Sequence, residues 1–137
     1  DHRQPRGSSR ELFKGVLAGK SRGIFNGRVI VRKDAQQTDA QQKNENMLLG
    51  VGAEVDSQPQ LEIEADDVKC SHGSTIGQLD EDAVFYLRSR AIGAADAEAM
   101  LTRGFAAQIT ERIANAALRE RVESLVLARL FARELPG

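Results

Sequence analysis

A thiol and an imidazole two positions apart are the side chains in this sequence best equipped for chemistry. Cys70 is the only cysteine and His72 one of two histidines. Side chains alternate along a β-strand, so residues two apart share a face. A strand through 69–71 therefore sets Cys70 and His72 side by side at the end of a β region. Such a pair could ligate a metal or act as nucleophile and base, but neither set is complete. Structural zinc needs four ligands, and His2 has no visible companion. A Cys–His nucleophile needs a helix N-terminus or a third group to orient the base, and the pattern names none. On residue types alone, a buried inert cysteine and a hydrogen-bonded histidine outweigh a ligand role. A further route is a half-site, in which a donor from one chain completes the ligand set of a metal held mostly by another.

The elements that must position this pair change character around it. Before it lie short β-like runs: Glu11–Leu17, a turn at Gly19-Lys20-Ser21, and Arg22–Val31, read as one or two strands around the turn signal Asn26-Gly27. Asp1–Arg10 reads as a loop or the tail of an earlier strand. The stretch from Lys33 to Asn46 is polar throughout, Met47-Leu48-Leu49 is apolar, and Gly50–Gln58 reads as a loop. Pro59–Ala65 is a strand with Leu61 and Ile63 inward, and Val68–Ser71 is the next. Apolar bursts this short and closely spaced suit a solenoid of stacked rungs or an antiparallel meander, and the pattern does not separate the two. Gly15–Ser21 ends like a phosphate-binding loop, but three residues, not four, separate its glycines. Strand and turn residues follow it instead of a helix, so nucleotide binding is rejected.

After the pair come helices. Asp80 is an N-cap, with Glu81 and Asp82 in the first turn, where the helix dipole favours acids. Val84, Leu87 and Ala91 share a face, and Gly93 reads as the stop. A second helix starts near 94–96 and carries the stripe Leu101, Phe105, Ile109 and Ile113. Gly104 inside it costs roughly 1 kcal/mol against alanine, which predicts close packing or a bend. Asn115 caps a third helix bearing Leu118, Val122, Leu125, Val126 and Leu130, closed by Pro136-Gly137. These stripes read first as core and second as partner surface. The resulting division is 1–79, β, and 80–137, helical.

Composition removes several classes of function. A formal net charge of −1 with 28% charged residues gives no footprint for nucleic acid or an anionic membrane. One cysteine excludes an internal disulfide framework and suits a reducing compartment. No apolar run spans a bilayer and no signal peptide is visible. Aromatics are 4% of residues, so aliphatics must fill the core. The opening Asp1-His2-Arg3-Gln4-Pro5 lacks methionine, which suggests the C-terminal piece of a longer chain.

The run Lys69-Cys70-Ser71-His72-Gly73-Ser74-Thr75-Ile76-Gly77-Gln78-Leu79-Asp80, with Phe85-Tyr86-Leu87-Arg88-Ser89-Arg90, resembles the C-terminal region of the SufD branch of the SufB/SufD family of iron–sulfur cluster assembly proteins. Asn26-Gly27-Arg28-Val29, Thr38-Asp39-Ala40-Gln41-Gln42, Leu61-Glu62-Ile63, Ala65-Asp66-Asp67-Val68 and Arg103-Gly104-Phe105 agree with it, so the resemblance covers essentially the whole chain. The Lys-Cys-Ser-His-Gly run separates this branch from the SufB branch, whose segment lacks that cysteine.

The resemblance implies a mainly β fold with α: the last turns of a right-handed parallel β-helix (β-solenoid), then a small C-terminal helical domain. It implies a cytoplasmic, non-catalytic scaffold that pairs with a SufB-like paralogue through the β-helix and binds a SufC-like ABC ATPase through the helices. His72 resembles the histidine at the cluster-assembly interface and a metal ligand shared with the partner; Cys70 is its motif neighbour. Tyr86, Arg88, Arg90, Arg103 and Phe105 fall in segments resembling the ATPase-contacting domain. No cofactor is implied to bind stably, only a transient iron–sulfur cluster at the SufB interface. Two other readings stand beside this one: an enzyme using Cys70 as nucleophile, and a β-solenoid interaction module without a site.

Overall fold

A computed structural model describes residues 1–131. The chain divides into two compact units, Asp1–Gly77 and a second from Gln78 onward. The first is built of five strands: β1 (Ser8–Ala18), β2 (Arg22–Val31), β3 (Asp39–Leu49), β4 (Glu54–Ile63) and β5 (Lys69–Gln78). Successive strands alternate between two sheets, one ordered β1-β3-β5 and the other β2-β4. β1 pairs parallel with β3, with Ser8 opposite Asp39. β2 pairs parallel with β4, with Arg22 opposite Glu54. A parallel pair needs a crossover between its strands, and here the crossover is the strand of the other sheet.

Glycine makes the tight corners. Gly19 and Gly50 adopt positive φ, of 66° and 96°, which a side chain disfavours. A Cβ on Gly52 would lie 2.6 Å from the Gly19 carbonyl oxygen, so the β3–β4 turn stacks directly on the β1–β2 turn. At the opposite corners the chain turns through Arg32–Thr38 and Glu64–Val68. Ala35 and Ala65 are buried there, and Thr38 Oγ1 donates to the Ala35 carbonyl at 2.8 Å. The core follows from this. Val29, Val31, Ala35, Ala40 and Ala65 form a buried cluster, with Leu61, Val68 and Cys70 packed against it. Small aliphatic side chains fill the narrow space between the sheets.

Farther along the strands the interior turns polar. Gln42, Asn44 and Asn46 of β3 are buried among one another and their neighbours. The outward faces carry charges matched between adjacent strands: Arg10 with Asp39, Arg28 with Glu62, and Lys14 with Glu45 at 2.7 Å. The first two pairs are exposed and contribute little each, about 0–1 kcal/mol, whereas the Lys14 side chain is buried.

Several expectations are corrected here. Arg22–Val31 is one continuous strand with no turn at Asn26-Gly27. The polar stretch before Met47 contains most of β3, and β4 begins at Glu54, inside the stretch read as a loop. β5 continues past Ser71 to Gln78. Ile63, expected inward, is half-exposed because β4 lies at a sheet edge.

The second unit holds α1 (Glu81–Ser89), α2 (Ala94–Thr110) and α3 (Ala116–Phe131). Asp80 Oδ1 accepts from the Asp82 and Ala83 amides at 2.9 and 3.1 Å, an N-cap as its type predicts. Asn115 does the same for Leu118 at 3.0 Å. Gly93 does not end α1; Ala91 takes the positive φ there, and Gly93 is the N-cap of α2. Gly104 lies within α2 with open space where its Cβ would be, so close packing does not explain it within the described residues. The fully buried positions of α2 are small (Ala97, Thr102, Thr110), while Leu118 and Leu125 of α3 remain half-exposed. The stop assigned to Pro136-Gly137 lies outside the described residues.

Candidate functional site

The site is built on β5, the strand at one edge of the three-stranded sheet. Its Ser74 Oγ donates to Ser57 Oγ of β4, in the facing sheet, at 2.8 Å. Ser74 therefore points inward. Cys70 also points inward, since it packs against the Val29–Ala65 cluster. Alternation then puts His72, midway between them, on the same inward face. Ser74 and Cys70 meet neighbours across the interior, but His72 stays exposed. The imidazole thus sits on the edge strand of the stack and remains exposed. Cys70 is a free, half-buried thiol.

Polar side chains line the interior beneath. Asn46 Nδ2 donates to Asn44 Oδ1 at 3.1 Å, and Asn44 Nδ2 donates to Ser57 Oγ at 2.8 Å. Gln42 Nε2 donates to Glu11 Oε2 at 2.9 Å. The other half of that amide is unusual. Gln42 is 1% exposed, yet among the described residues its Oε1 has no hydrogen-bond partner. Leaving a buried acceptor unmet costs about 1–3 kcal/mol. Gly27 of β2 makes room for this amide, because a Cβ there would fall 2.4 Å from Oε1.

Sequence reasoning missed Gln42, Asn44 and Asn46. The usable signal was the alternation Ala40, Gln42, Asn44, Asn46 against Gln41, Lys43 and Glu45, hidden because both faces are polar. Among the described residues, no three His, Cys, Asp or Glu side chains come together as a ligand set. Any cluster bound at His72 would need donors from elsewhere.

The five helical candidates fall in two places. Arg90, the C-cap of α1, lays its guanidinium 3.6 Å from the centre of the Tyr86 ring. Arg88 is exposed in the last turn of α1, and the neighbouring Phe85 is 73% exposed. On α2, Arg103 Nη2 lies 3.4 Å from Glu123 Oε1 of α3, which ties the two helices together. Phe105 is half-buried. Tyr86 and Arg90 are therefore one feature, whereas Arg103 already has a structural partner.

Parallel strands alternate between two sheets, an edge strand with an exposed imidazole closes the series, and three helices follow in the chain. Residues 1–105 match the family model described as SUF system FeS cluster assembly, SufBD core domain, and the chain belongs to the SufB/SufD family. Within the family it is SufD-like. It is 48% identical to the iron–sulfur cluster assembly protein SufD of Escherichia coli K12 over 130 residues, covering 95% of this chain and 30% of that protein. It is 42% identical over 125 residues to an iron–sulfur cluster assembly SufBD family protein of Synechocystis, covering 91% of this chain and 28% of the relative. The chain thus spans less than a third of the length of these relatives.

Proposed function

We propose that this chain is the C-terminal part of a non-catalytic scaffold for iron–sulfur cluster assembly. In this reading residues 1–79 are the last coils of a right-handed parallel β-helix, and residues 80–137 are a helical domain. The 31-residue offset from Ser8 to Asp39 and the 32-residue offset from Arg22 to Glu54 support the coil assignment, since each is one circuit through both sheets. A SufB-like paralogue pairs at the β5 end and covers His72. A SufC-like ABC ATPase docks on the helical side, with Phe85, Tyr86, Arg88 and Arg90 as its first contacts. The nascent cluster is cargo, held transiently between the two scaffold subunits, with His72 supplying one ligand and the partner the others.

One observation carries this reading: His72 faces inward on an edge strand and is nevertheless exposed. An inward polar side chain left open at the end of a strand stack is suited to a covering subunit. In this reading no nucleic acid or membrane is a partner and the compartment is the cytoplasm, as the family resemblance implies. Cys70 is a motif neighbour, not a nucleophile, because its thiol packs against aliphatic side chains. The test is co-expression of the full-length protein with both partners. His72→Ala should leave the mass of the complex unchanged and lower its yield of cluster. Normal cluster yield from that variant sinks the assignment.

A further inference from the structure

We propose that Gln42 is a positioning residue for His72: its buried amide oxygen accepts the imidazole N–H and leaves the opposite ring nitrogen facing the partner subunit. The role rests on His72 being an interface ligand; the hydrogen bond itself does not.

The register places the two side chains together. Where Ser8 pairs with Asp39, the Asp39 amide donates to the Gly7 carbonyl. The Lys69 amide makes the equivalent bond to the Thr38 carbonyl at 2.8 Å, so Asp39 lies opposite Lys69. Three residues on, His72 lies opposite Gln42, and Gln42 lies opposite Glu11. Two residues further, Asn44 and Ser74 both bond Ser57, as the same register requires. Glu11, Gln42 and His72 therefore form one inward row across β1, β3 and β5. Adjacent strands are about 4.8 Å apart, so neighbours in such a row are within reach of each other.

The amide can present its oxygen in one direction only. Its NH₂ is committed to the Glu11 carboxylate, and turning it over would set oxygen against oxygen. The facing backbone at Gly27 confines it from the other sheet. Gln42 Oε1 is thus buried, fixed and without a donor, and the next side chain in its row is an exposed imidazole. Rotation about the His72 side-chain torsions brings a ring nitrogen to that oxygen. A partner covering β5 removes the water that competes for the exposed imidazole N–H. A hydrogen bond at one ring nitrogen selects the tautomer and orients the ring, so the other nitrogen carries the free lone pair a metal needs.

The test is nitrogen-15 NMR of the His72 ring in the full-length protein bound to its SufB-like partner, with cluster yield measured on the same samples. The wild type should show one neutral tautomer whose ring proton exchanges slowly with water. Gln42→Leu should speed that exchange at least about 10-fold and lower cluster yield by about 10-fold, the usual loss when a ligand's supporting hydrogen bond is removed. Glu11→Gln releases the amide to turn over while keeping the row polar, and should move both readouts the same way by less. No protected ring proton in the wild type, or equal protection in Gln42→Leu, overturns the proposal. If Gln42→Leu does not fold, unchanged protection in Glu11→Gln overturns it. Normal cluster yield in His72→Ala, with the ring proton still protected in the wild type, would reject the interface reading and leave the hydrogen bond standing.

Discussion

Replacing Gly27 by alanine adds one carbon atom to the polar interior, directly against the Gln42 amide. The position has no positive φ, so alanine suits the backbone and the effect is steric alone. The new Cβ would stand 2.4 Å from Gln42 Oε1 and 2.7 Å from both Cδ and Nε2. Contacts under 3 Å force the amide aside, but Gln42 is 1% exposed and has little room to move. Overpacking a tight interior costs about 1–3 kcal/mol. Displacing the amide also breaks its bond to Glu11, worth roughly 0.5–1.5 kcal/mol. The expected loss is therefore about 2–4 kcal/mol. Native-state hydrogen exchange of the β2 and β3 amides in the full-length chain measures it without requiring the whole protein to unfold in one step. A double-variant cycle identifies the cause: Gln42→Ala clears the space, so Gly27→Ala should cost at least about 1 kcal/mol less in that background. A loss below about 0.5 kcal/mol, or strict additivity with Gln42→Ala, would refute the packing argument.

Gly104→Ala should stabilise α2 by about 1 kcal/mol, since the helix is unbroken and the added methyl meets nothing. If that face receives the ATPase, the same variant should bind it more weakly, and thermal melting with a pull-down would show both changes. The Glu62 carboxyl is held below its ordinary value, chiefly by its hydrogen bond from Arg28. A depressed carboxyl adds stability above its unfolded value and loses it as pH falls through the folded one. The advantage of wild type over Glu62→Gln should thus shrink on acidification below the usual glutamate range, and denaturation at neutral and acid pH checks it. The unpaired edges of β1 and β5 offer free backbone groups, so the isolated chain should self-associate as concentration rises. Light scattering that shows monomer at high concentration would count against this.

The helices were legible because they are decided locally. Asp80 and Asn115 cap α1 and α3, and no distant contact is needed to read them. The strand unit was legible only in part, for a reason visible at β3. Its inward row is Gln42, Asn44 and Asn46, with the Gln42 and Asn44 amide groups donating to Glu11 and Ser57 on other strands, so hydrophobic alternation could not reveal it. Asn26-Gly27 read as a turn from local chemistry. The glycine instead answers a demand made fifteen residues later by the Gln42 amide, inside a straight strand. Gly50-Val51-Gly52 is a true turn, but the polar start of β4 at Glu54 and Asp56 extended the apparent loop beyond it. The pairing of Cys70 with His72 on one face followed from alternation alone. What separates them, a thiol against aliphatic neighbours and an imidazole left open, depends on which strands face β5 and could not be read from spacing.

Solvent exchange at the His72 ring most directly tests the claim that a sister subunit closes over it. The exchange rate of its C2 hydrogen, followed by mass spectrometry, should be that of an open imidazole in the full-length protein alone. It should fall at least about 10-fold in the complex with the SufB-like partner. Equal rates in the two states would mean that nothing covers His72, contradicting the account.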